Sequence, residues 1–140
     1  MAAFKKAQIL THSGAMAMLA AAIAKAEEIG QPQCIVVVDA SGELLAEIRM
    51  TGAKFLSRKS ALTKARTAAS NRAPSANVPV DFRAPIAIAT QNSVTGLPGG
   101  LPIKIGEDVI GAIGVGSGTG EQDIAVGQAA LAAIGAELPA

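Results

Sequence analysis

Tryptophan and tyrosine are absent from this 140-residue chain, and Phe4, Phe55 and Phe82 are its only aromatic residues. Single-stranded nucleic acid is usually held on aromatic stacking platforms, and a formal net charge of +1 leaves no basic footprint for a polyanion. The two shortages together point away from nucleic acid as a partner. Cysteine occurs once, so an internal disulfide is excluded. Cys34 precedes the apolar run Ile35-Val36-Val37-Val38 and reads as a small buried hydrophobe rather than a reactive thiol. Histidine also occurs once, at His12, and zinc-type ligand spacing is missing. Neither a nucleophile elbow nor a Walker lysine is present. No apolar run is long enough to span a bilayer, so no membrane partner is expected.

What the chain does have is small apolar residues. Half of it is hydrophobic, with Ala and Gly abundant, so it is not of the disordered class. The length suits one domain over residues 1–140. Small side chains allow close packing but bury little area each, at roughly 25 cal/mol per Å². A domain built this way is short of deep-core stabilisation, and a homo-oligomer is the expected remedy. Lys5 and Lys6 before the apolar stretch 14–24, with Ala24-Lys25-Ala26 after it, imitate a secretory leader. Thr11 or Ser13 can instead cap a helix whose Met16, Leu19, Ala20 and Ile23 fall at helical spacing and which Gly30 stops. The stretch is taken as the first helix of the fold, and the location as cytoplasmic.

The patterning predicts a helix over 11–29, a strand over 33–39 with both faces covered, a turn at Asp39-Ala40-Ser41-Gly42 and a strand over 43–50. A second helix follows over 55–72, with Leu62, Ala65 and Ala69 as its apolar stripe. Residues 73–85 read as a proline-punctuated loop. Strands are predicted over 86–90, 101–105 and 109–115, and a last helix over 121–138. Hairpins rather than strand-helix alternation dictate an α+β class with a mostly antiparallel, five-stranded sheet and helices packed on it.

The glycines from Gly111 to Gly120 invite a dinucleotide reading, which the spacing refuses. Gly114-Val115-Gly116 would need a third glycine where Thr119 stands, and Gly116-Ser117-Gly118 one where Glu121 stands. Glu121 and Asp123 would also repel phosphate from that helix start. His12 sits near a helix start, where it is either a solvated side chain or an axial haem ligand, a job for which one imidazole suffices. Met50 is a conceivable soft ligand. Arg49, Arg58, Lys59, Lys64 and Arg66 form a wet helix face or a set of cations for ligand carboxylates. Glu121 and Asp123 are the only close acidic pair, available for general acid–base work or explained by helix-start electrostatics.

Two stretches then carry a resemblance. Residues 36–46, Val-Val-Val-Asp-Ala-Ser-Gly-Glu-Leu-Leu-Ala, lead into Arg49-Met50-Thr51-Gly52-Ala53 and the segment from Ser60 to Ala69. Later come Gly99-Gly100-Leu101-Pro102-Ile103, Val109-Ile110-Gly111-Ala112-Ile113-Gly114-Val115 and Gly118-Thr119-Gly120-Glu121-Gln122-Asp123. In this order and separation they resemble the GlcG/HbpS family, the haem-binding proteins related to the PduO C-terminal domain. The resemblance implies a profilin-like α/β sandwich, homo-oligomeric assembly, and binding of haem or a corrinoid in an accessory catabolic role. It implies a histidine of the N-terminal helix as haem ligand, a position to which His12 lies close; the first function it suggests is thus an oligomeric haem-binding protein using His12 with the cations Arg49, Arg58 and Lys59 for the propionates. Thr51 stands where many relatives carry Asp. Two other functions compete. One is a small catabolic enzyme (an isomerase, hydrolase or lyase) acting on a carboxylate or aromatic-derived substrate at a subunit-interface pocket through Arg49, Arg58, Glu121 and Asp123. The other is a non-catalytic stabilising subunit.

Overall fold

Thr11 opens the first helix by accepting the Gly14 N–H on its hydroxyl at 3.1 Å. The resulting α1 (His12–Glu28) ends before Gly30, whose φ of 68° is a glycine conformation. Strands β1 (Cys34–Asp39) and β2 (Leu44–Arg49) form a hairpin, and Asp39 Oδ1 fixes its turn by accepting the Ser41 and Glu43 N–H groups. After α2 (Ser57–Asn71), a short 3-10 turn over Ser75–Asn77 and α3 (Val80–Ala89), a second hairpin joins β3 (Gly100–Ile105) to β4 (Asp108–Gly116). Helix α4 (Gly120–Ala133) follows, its N-terminus closed by a Thr119–Gln122 capping box. This computed structural model describes residues 1–139.

The described strands make one antiparallel sheet in the order β2-β1-β4-β3. Strand β1 pairs on both edges and is buried on both faces, as its continuous apolar run predicts. On one face Ile35, Val37, Ile103, Ile113 and Val115 pack with Met18 and Ala22 of α1 and Val126 and Leu131 of α4. On the other, Cys34, Val36, Val38 and Ala112 pack with Ala61, Ala65 and Ala68 of α2. Three layers result, with the sheet in the middle. Helix α2 lies almost directly on the strands, because Gly114 and Gly100 present bare backbone where a side chain would strike the Ala61 and Lys64 carbonyls. Buried among these groups, the Cys34 thiol has its pKa pushed up, chiefly by desolvation.

Three expectations need correction. The sheet has four strands, not five, because residues 86–90 belong to α3 and the turn that ends it. The alternation Ile86-Ala87-Ile88-Ala89 fits a strand, but neither edge strand, β2 or β3, pairs with it, and its backbone groups are satisfied locally, as in the Ile86 carbonyl accepting the Thr90 N–H at 3.0 Å. The loop expected over 73–85 is largely ordered into the 3-10 turn and the start of α3, tied down by Arg83 donating to the Val78 and Ala76 carbonyls. Thirdly, the buried face of α1 is Ala15, Met18, Leu19, Ala22 and Ala26, so Met16 and Ala20 point outwards. No helix among the described residues is long and apolar enough to cross a membrane.

Candidate functional site

The residues singled out in the sequence are spread over the molecule rather than gathered in one cavity. His12 is the first residue of α1 and is exposed. The outward face of α1 runs on through Met16, Ala17, Ala20 and Ala24, all exposed, with Met16 57% accessible. No charged side chain occurs on α1 before Lys25. A solvent-facing helix surface is normally polar or charged, so this face is unusually apolar. His12 and Met16 are one turn apart on it.

Arg49 lies at the opposite end of α1. It borders a cleft of about 560 Å³ with Ile23 and Glu27 of α1, Pro32, Ile48 and Met50. The Met50 sulfur there accepts the Gln33 N–H at 3.4 Å. From His12 to Glu27 the helix rises about 22 Å at 1.5 Å per residue. His12 and Arg49 therefore lie at opposite ends of α1. Arg58, in the first turn of α2, is paired with Glu47 of β2, and the carboxylate keeps the guanidinium charged. Lys59 beside it is exposed and has no acidic partner among the described residues.

Glu121 and Asp123 do not act as a pair. Glu121 faces solvent in the first turn of α4, whereas Asp123 is 2% exposed. Asp123 Oδ2 accepts from Lys64 Nζ at 2.9 Å and Oδ1 from the Gly118 N–H at 3.0 Å. Lys64, 5% exposed, also donates to the Val115 carbonyl at 2.8 Å. This buried ion pair joins α2, β4 and α4. Sequence reasoning placed Lys64 on the wet face of its helix, and only its spacing with Ala61, Ala65 and Ala68 on one side of α2 could have revealed the burial. Close by, the side chain of Gln33 is fully buried and neither of its polar atoms has a partner. Among the described residues no three His, Cys, Asp or Glu side chains cluster to hold a metal ion. A haem iron needs no such cluster, since a single imidazole can hold it.

Comparison with known proteins sets this geometry among relatives. Residues 10–132 match the family described as haem degrading protein HbpS-like. An uncharacterised 15.0 kDa protein of Citrobacter freundii, from the dhaT-dhaS intergenic region, is 35% identical over 128 residues, covering 87% of this chain and 89% of that one. The crystal structure of Klebsiella pneumoniae protein ORFY superposes with a TM-score of 0.90 at 33% identity over 98% of both chains. The crystal structure of the PduOC:heme complex superposes with a TM-score of 0.87 at 25% identity, over 95% of this chain and 100% of that one.

Proposed function

The chain belongs to the HbpS-like family of haem degrading proteins, and on that premise we propose that it is a homo-oligomeric haem-binding protein in which His12 is the axial ligand of the iron. The observation that carries this reading is the outward face of α1. It offers one exposed imidazole, the Met16 thioether one turn on, and then only alanine methyls for a flat apolar macrocycle to lie against. The sheet and α4 hold that helix from behind, so the face is rigid before any ligand arrives.

Haem brings two propionates that need cations. Arg49, Arg58 and Lys59 supply them; Arg49 sits at the far end of α1 from His12 and the other two on α2, across the sheet from α1, an arrangement that favours cations brought by an adjoining copy. The oligomer has independent support in α3, which buries none of its residues and leaves Val80, Phe82 and Ile88 at 73%, 63% and 78% exposure. Apolar surface of that kind usually marks an interface. Bound haem supplies a redox-active iron, while the residues of this chain hold and orient it.

The test is a haemin titration followed in the Soret region, with wild type and His12→Ala side by side. Wild type is expected to saturate and give a sharp Soret band. The variant is expected to bind at least about tenfold more weakly, a loss of ~1.4 kcal/mol. Featureless, non-saturating spectra from the wild type would remove the haem reading. Superimposable titrations would remove His12 from it.

A further inference from the structure

A second cleft, of about 240 Å³, lies on the α2 side of the sheet, where the starts of α2 and α4 meet the Leu97-Pro98 turn. Lys64 forms part of its wall. Of the three protons of the Lys64 ammonium, one goes to the Val115 carbonyl and one to Asp123 Oδ2, and the third has no protein acceptor among the described residues. Both oxygens of Asp123 are already engaged, so the carboxylate has little left to offer a ligand. Lys54 borders the same cleft and has no acidic partner among the described residues. Two ammonium groups against one carboxylate leave the lining with surplus positive charge.

Ser117 adds a donor. Its φ of 93° is a conformation that non-glycine residues seldom adopt. Two contacts accompany it: Gln31 Nε2 donates to its carbonyl at 3.2 Å, and its hydroxyl accepts the Lys54 N–H at 2.9 Å. The hydroxyl proton remains free to donate. Immediately behind Gly118, which also lines the cleft, lies the unpartnered Gln33 amide; a Cβ on Gly118 would come within 2.7 Å of its Nε2. Buried polar groups are rarely left unsatisfied without a further partner.

We propose that this cleft binds a small monoanion, a carboxylate of a few carbons, between Lys54, Lys64 and the Ser117 hydroxyl. The volume suits a ligand of that size and excludes a tetrapyrrole, so the inference is separate from the haem reading. Its test uses haem-free full-length protein, in which amide resonances are followed by NMR during titration with acetate and propionate, and with acetamide and sodium chloride as controls. Saturable shifts of the Lys54, Gly118 and Gly120 amides are expected from the carboxylates alone. Lys54→Gln should raise the dissociation constant at least tenfold. Ser117→Gly, which removes the hydroxyl and relaxes the backbone, should raise it several-fold. Absence of saturable shifts, equal shifts from acetamide or chloride, or a Lys54→Gln protein that titrates like wild type would overturn the proposal.

Discussion

Gly114→Ala is expected to lower the unfolding free energy by about 3 kcal/mol, at the upper end of what one added methyl group does in a packed core. Gly114 sits in β4 opposite Val36, and the new Cβ would fall inside the Ala61 carbonyl oxygen and against the Ala65 nitrogen of α2. Both are backbone atoms within a helix, so no side chain can swing aside. The helix has to lift off the sheet, opening the Ala61, Ala65 and Ala68 contacts with β1 and β4. Gly106→Ala makes the control. That residue has a φ of 60° and open space around it, so the change costs only the left-handed backbone, about 1 kcal/mol. Urea unfolding followed by far-ultraviolet circular dichroism, at fixed protein concentration, reads both, since the chain has no tryptophan to report by fluorescence. Equal midpoints for the two variants would contradict the packing described.

Asp123→Ala is expected to cost about 3–5 kcal/mol, because it leaves the Lys64 ammonium buried with a single carbonyl acceptor. Lys64→Met should do the same from the other side, stranding a carboxylate with one N–H donor. The pair itself is worth far less, since burying both charges has already cost most of their mutual attraction. The double variant Lys64→Met/Asp123→Leu should therefore recover most of the stability lost by either single change. A double-mutant cycle by urea unfolding measures this directly. If the double variant were as unstable as the sum of the singles, the two residues would not be acting on one another.

The central elements could be read from the chain because their determinants are local. Asp39-Ala40-Ser41-Gly42 carries its own turn chemistry, Thr11 and Gly30 bracket α1, and the apolar run of β1 announces a strand covered on both sides. Where the reading failed, the deciding interaction was absent or remote. Residues 86–89 have a strand-like alternation, but neither edge strand pairs with them, and they complete α3 instead. The apolar residues of α1 show the helical period but not its phase, since alanine and methionine look alike to a pattern that counts apolar residues, and the exposed apolar face next to His12 is visible only in the fold. Lys64 and Asp123 are separated by 59 positions, and nothing in either local sequence announces the partner. Spacing along a chain gives no measure of the helix that separates His12 from Arg49, or of the sheet that separates it from Arg58 and Lys59, and so groups the cations and the histidine as one site.

On the proposed function, His12 supplies the bond to iron. Chemical rescue tests this most directly: haemin is added to His12→Ala in the presence and absence of free imidazole, and the Soret band is compared with that of the wild-type complex. If the histidine is the ligand, the variant alone gives a weak, displaced band, and imidazole, occupying the space of the missing side chain, restores the wild-type position. A variant that reproduces the wild-type band without imidazole would contradict the assignment and move the haem away from the α1 face.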